Sequence, residues 1–140
     1  MQTRYLNTDL DLSASVDLTP LAAAFESQGV VPLHVTLCED GHWFSILETD
    51  EQYEDPESNI AAMLSVIEQF DEPERSIWRV LTLCEFNIGY DCGSEPWAFN
   101  QGLSNTLLQR MAKVGTSLRV TLYPPESLRE KSQQTQLPES

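Results

Sequence analysis

The segment that most constrains this chain is Leu33–Leu47. Leu33, Val35 and Leu37 alternate with His34, Thr36 and Cys38; Asp40-Gly41 follows, and His42-Trp43-Phe44-Ser45-Ile46-Leu47 runs back. Period-two alternation puts successive side chains on opposite faces of a strand, and an Asp-Gly pair adopts positive φ with ease. The stretch therefore predicts a β-hairpin. A hairpin buries one apolar face only against another layer, so the rest of the chain must supply that layer.

The layer is visible as helical periodicity. Thr19 is placed to cap a first helix, with Pro20 at its first position, Leu21, Ala24 and Phe25 as its stripe, and Gly29 at its end. Asp55-Pro56 opens a second helix on whose one face Ile60, Met63, Leu64, Ile67 and Phe70 fall. Asp71-Glu72-Pro73 breaks it and starts a third, carrying Ile77, Trp78 and Leu81. Ser104 caps a last helix, from which Leu107, Leu108, Met111 and Ala112 are expected to face the core before Gly115 ends it.

Three further strands are expected. In Tyr5–Leu12, Leu6, Thr8, Leu10 and Leu12 share one face, with Asn7, Asp9 and Asp11 on the other. Residues 85–90 form a strand, and Leu118, Val120 and Leu122 alternate in a final one. The order β-α-β-β-α-α-β-α-β predicts an α+β fold: a single mixed, mainly antiparallel five-stranded sheet with helices packed mainly on one face. Residues 1–125 are read as one domain, and the polar, aperiodic residues 126–140 as a disordered tail.

Charge narrows the function. The 140 residues carry a formal charge of −14, distributed unevenly. Residues 1–74 hold sixteen acids and only Arg4 as a base, whereas residues 75–140 hold six acids and seven bases. Such a field repels nucleic-acid phosphate and anionic lipid and steers cationic partners, so no nucleic acid or membrane partner is expected. The plainer reading of the charge is that it keeps the domain soluble, the sharper one a basic protein partner. No run approaches the roughly 20 apolar residues of a membrane span, and the N-terminus lacks a signal-peptide h-region. Three cysteines, an odd number without CxxC spacing, predict reduced thiols in the cytoplasm.

Two stretches are candidate sites. The first is the acidic run 48–57, where Asp50, Glu51, Glu54 and Asp55 would present a docking face and Trp43, Tyr53 or Trp97 an apolar anchor. The plainer reading is a solvated approach to a helix. The second is the loop-rich stretch 85–102, which gathers Asn87, Tyr90, Asp91, Glu95, Trp97, Asn100 and Gln101. It could form a small-ligand pocket or a cryptic active site, or its Trp97 and Phe99 could plug the end of the core. A homo-oligomer built on an exposed sheet edge is a third reading.

No catalytic residue, metal or cofactor is assigned. GxSxG, Walker and GxGxxG patterns are missing, and no cysteine lies in a nucleophile signature. His34, His42 and Cys38 lack the paired spacings of a structural zinc site. Asn7, Asp9 and Asp11 lack any calcium-loop spacing and read as a solvated strand face.

The closing stretch Gly102–Tyr123 (Gly-Leu-Ser-Asn-Thr-Leu-Leu-Gln-Arg-Met-Ala-Lys-Val-Gly-Thr-Ser-Leu-Arg-Val-Thr-Leu-Tyr), about a sixth of the chain, resembles the helix–strand ending of a widespread bacterial domain family of unknown function. Its members are small, acidic, cytosolic and α+β, and the resemblance implies the same here. Some small acidic bacterial families of this general look are immunity proteins that neutralise a basic toxin, so an immunity or antitoxin role is implied too. No site residue carries over from it.

Overall fold

Strand β1, Arg4–Ala14, is the centre of the sheet in a computed structural model that describes residues 1–125. Strands β2 (Val30–Leu37) and β3 (Trp43–Thr49) form the expected hairpin. Gly41 sits at φ 87°, and Cys38 N–H donates to the His42 carbonyl at 2.8 Å. β3 pairs with one side of β1, β4 (Leu83–Asp91) with the other, and β5 (Ser117–Tyr123) with β4. The order is β2-β3-β1-β4-β5. Every pairing is antiparallel except β4–β5, whose crossover is the helix α4, Asn105–Lys113. The fold is α+β with one mixed, mainly antiparallel sheet. No helix among the described residues is long and apolar enough to cross a membrane. The tail expected at 126–140 lies outside the described residues.

One face of the sheet meets the helices. Thr8, Leu10, Leu12 and Ala14 of β1, Ser45 and Leu47 of β3, and Phe86 and Ile88 of β4 are buried there. Against them pack α1 (Thr19–Glu26) through Leu21 and Phe25, α2 (Pro56–Glu68) through Ile60, Met63 and Leu64, and α4 through Leu107 and Met111. The short helix α3, Glu74–Arg79, adds Ile77 and Trp78 at one end, and the Trp78 indole N–H donates to the Val114 carbonyl at 2.9 Å. Two caps act as expected: Asp55 accepts from Ser58 N–H at 2.8 Å and Ser104 from Leu107 N–H at 3.1 Å.

The structure corrects the sequence reading in four places. Thr19 makes no cap, because the helix begins with it and Leu18 holds the N-cap position, while the Asp17 carboxylate accepts from the Thr19 N–H at 2.8 Å. Leu6 does not share the core face with Leu10, since the register of β1 against β4 shifts between Tyr5 and Asn7 and turns Leu6 outward. Leu33 of β2 is exposed because the register shift between Pro32 and His34 leaves it without a partner on this edge strand, whereas Leu37 keeps the helix side with Val35 and is exposed at the end of the strand; Val30 takes the core position. Leu108 and Ala112 are exposed, as are Leu118, Val120 and Leu122 of β5. The last three alternate as expected, yet no helix among the described residues covers the final strand.

Candidate functional site

No helix among the described residues covers the second face of the sheet, and here the acids converge. On β1, Asn7, Asp9, Asp11 and Ser13 point away from the core because their neighbours point into it. Asp9 lies between Glu48 of β3 and Asn87 of β4, and Asp11 between Ile46 and Glu85. The Asn7 amide bridges two of the acids, donating to Asp9 Oδ1 at 3.0 Å and to Glu48 Oε2 at 3.1 Å. Arg119 of β5 donates from Nε to Glu85 Oε1 at 2.6 Å, and the Thr121 hydroxyl donates to Asn87 Oδ1 at 2.7 Å. Asp11 Oδ1 is buried and accepts no hydrogen bond among the described residues.

These carboxylates are held against their preference for water. Burial, reinforced by the charges of Glu48 and Asp11, pushes Asp9 up to about 6. Burial and the charge of Glu85 raise Asp11 as well, against the opposing pull of Arg119 and His34. A carboxyl raised in the folded state contributes stability that is complete below its unfolded value, near 4, and is lost as pH rises through 6. Asp9→Asn should therefore stabilise the protein at pH 7 by about 1 kcal/mol, the shift being discounted for the group's half-exposure. The difference should vanish by about pH 4, where Asp9 is itself protonated. Thermal melts of both proteins at the two pH values check this, and a variant that is less stable at pH 7 would refute the repulsion.

The residues singled out in the acidic run fall at the rim of this face. Asp50, Glu51 and Glu54 are exposed, and Tyr53 hydrogen-bonds Glu51. Tyr53 shares a hollow of about 200 Å³ with Asn7, Glu48 and Glu51. Asp55 is tied to the start of α2, and Glu57 accepts from Ser104 N–H at 2.7 Å, so this end of the run holds helix termini in place. Of the three proposed aromatic anchors, only Tyr53 borders the acids. Trp43 packs against the core, and Trp97 belongs to the opposite side of the sheet. Phe44 and Ile46 supply apolar surface on the acidic face instead, with the His34 ring 5.6 Å from that of Phe44.

The stretch 85–102 divides. β4 runs on to Asp91, so its alternation sends Asn87 and Asp91 to the acidic face and Tyr90 to the helix side. Asp91 pairs with Arg4 at 3.2 Å. Tyr90 lines an apolar groove of about 630 Å³, together with Trp97, Phe99, Gln101 and the β5 side chains. Phe99 meets Tyr90 edge-on at 5.4 Å, whereas Trp97 is 98% exposed and plugs nothing. Glu95 and Asn100 are exposed, and Glu95 serves through its carbonyl, which accepts from Thr3 N–H at 2.8 Å. Gly93 is required where it stands, because a Cβ there would lie 2.2 Å from the Met1 carbonyl oxygen.

The sequence reading treated Asn7, Asp9 and Asp11 as a solvated strand face. They lie on the open face, but half-buried and coupled to acids 39 or more residues away in sequence. The Asp-x-Asp alternation on a strand expected to be half-buried was the available signal; the partners Glu48 and Glu85 emerge only from the pairing. No group of three or more His, Cys, Asp or Glu among the described residues is placed to hold a metal ion. Burial pushes the Cys84 thiol up to about 12, far from nucleophile behaviour. No protein-family model, curated protein or solved structure matches this chain.

Proposed function

We propose that this chain is a protein-interaction module whose acidic sheet face receives a basic protein partner, in the manner of an immunity or antitoxin protein. The observation that carries the reading is the row of Asp9, Asp11, Glu48 and Glu85 on the open face, two of them with raised proton affinity. Like charges crowded at a surface are relieved by an arriving cation, so the site gains more from a guanidinium or ammonium than a dispersed charge would. Exposed Asp50, Glu51 and Glu54 widen the field, and Phe44, Ile46 and Tyr53 offer apolar contact beside it. The odd cysteine count without CxxC spacing supports a reducing compartment such as the cytoplasm for this role.

The test is titration with a short arginine-rich peptide at low salt. Asp9→Asn/Asp11→Asn/Glu48→Gln should weaken binding about tenfold, while the charge-matched Glu26→Gln/Glu39→Gln/Asp71→Asn should change it less than about twofold. Equal losses in the two variants would mean that net charge alone attracts the peptide, and the site would be abandoned.

The groove beside Trp97 supports a second reading, a small apolar ligand held over Tyr90 with Gln101 as its polar contact. Trp97→Ala should then abolish the thermal shift that such a ligand produces, and a screen in which no ligand shifts melting removes the reading.

A further inference from the structure

The sheet ends in two unlike edges. On β2, Pro32 lacks an N–H and the register shifts beside it, and both features make an edge a poor template for another strand. On β5, seven residues run in unbroken register along β4, and prolines appear only after the strand, at Pro124 and Pro125. No other strand among the described residues pairs with it. Leu118, Val120 and Leu122 are 41%, 53% and 62% exposed, all on the side that holds the Trp97 groove.

We propose that a second copy of this chain pairs with β5, antiparallel and centred on Val120, joining two five-stranded sheets into one of ten. A two-fold axis at Val120 sets that residue against itself, Leu118 against Leu122, Arg119 against Thr121 and Ser117 against Tyr123. Residues opposed in an antiparallel ladder share a face, so six aliphatic side chains merge into one surface on the helix side. Arg119 meets Thr121 and not its own copy. Seven paired residues alone fall short of the roughly 1,200 Å² of a stable interface. The grooves that flank the ladder, each with an almost fully exposed Trp97 and an exposed Leu108, extend the apolar contact.

Charge selects a second copy in this geometry. Two molecules at −14 repel, but the described bases other than Arg4 (Arg75, Arg79, Arg110, Lys113 and Arg119) all follow the acidic half in sequence, three of them on or beside α4 and β5. Joining at β5 brings the least negative sides together. The two β1 strands, with their acids, then stand five strand spacings apart, about 24 Å, well beyond the roughly 8–10 Å screening length of physiological salt. Both acidic faces lie on the same side of the joined sheet, so pairing leaves them open.

Sedimentation velocity of the full chain across a wide concentration range is the test. Wild type and Leu33→Lys, which charges the opposite edge, should both shift from monomer to dimer as concentration rises. Val120→Lys, which opposes two like charges at the axis, should raise the dissociation constant about tenfold or more while circular dichroism shows it folded. In a Cys38→Ser background, oxidised Val120→Cys should yield a disulfide between the two copies of position 120, since directly opposed Cα atoms lie about 4.5–5.5 Å apart, within disulfide reach. A wild type monomeric at every concentration overturns the proposal, as does a dimer indifferent to Val120→Lys and uncrosslinked at 120. A monomer whose β5 amides resist hydrogen exchange, or that takes up an added extended apolar peptide there, gives the edge to a different occupant and overturns it too.

Discussion

Replacing Phe25 with alanine should lower the stability of the domain by about 4 kcal/mol, a cost typical of a fully buried phenylalanine. Phe25 is fully buried on α1, and its ring meets Phe70 edge-on at 5.0 Å and Trp78 at 6.3 Å, with Phe70 and Trp78 themselves 6.2 Å apart. The three rings join α1, the residues just after α2, and α3. Truncation opens a cavity among three elements that cannot all move inward together, so the lost contacts are not recovered. Domains of this size have roughly 5–15 kcal/mol in total, which would put the variant close to unfolding at 37 °C. Phe25→Leu, nearer in volume, should cost no more than about half as much. Urea titrations followed by circular dichroism measure both, and a Phe25→Ala loss below about 1 kcal/mol would contradict the packing described.

Asn59→Ala should cost about 3 kcal/mol through polar groups left without partners. Asn59 is buried on α2 and joins the helix to two strands. Its Oδ1 accepts from the Tyr5 hydroxyl at 2.8 Å and from Thr8 N–H at 3.1 Å, and its Nδ2 donates to Thr49 Oγ1 at 2.8 Å. The single phenolic proton of Tyr5 goes to Asn59, so the 2.6 Å contact with Thr8 Oγ1 has threonine as donor. Thr49 Oγ1 donates onward to the Glu51 carbonyl at 2.8 Å, which fixes the amide orientation of Asn59. Burial pushes the Tyr5 phenol up to about 12, against the hydrogen bond with Thr8, which pulls it the other way. Alanine would strand the Thr8 N–H, because β3 pairs with β1 only from Asp9 onward and offers it no carbonyl. Tyr5→Phe leaves Asn59 bonded to Thr8 and Thr49 and should cost about 1 kcal/mol, and the double variant should lose less than the sum of the singles. Strictly additive losses would show that the groups do not act as a network.

What could be read from the sequence was local. Asp40-Gly41, Asp55 and Ser104 act through atoms two to four residues away, so their turn and caps were legible in the chain itself. The sheet with its helices on one side followed from the order of the elements. Coverage was not legible. Leu108, Leu118, Val120 and Leu122 have the periodicity of core residues, but whether a layer reaches them depends on where α4 lies across the sheet. The acidic face was hidden for the same reason: Asp9, Glu48 and Asn87 become neighbours only once β1 is flanked by both β3 and β4. Trp97 was visible as an aromatic in a loop, and its exposure is a property of the folded chain.

The acids of β1 also bear on which fold the chain adopts. The strand alternates so strictly that sliding it by one residue between β3 and β4 would exchange Leu10 and Leu12 for Asp9 and Asp11 beneath the helices. An unpaired carboxylate among Phe25, Leu64 and Phe86 is far more costly than the crowding it suffers on the open face. The same charges that weaken the native sheet at neutral pH thus penalise its out-of-register rivals much more, and the central strand has one place to settle.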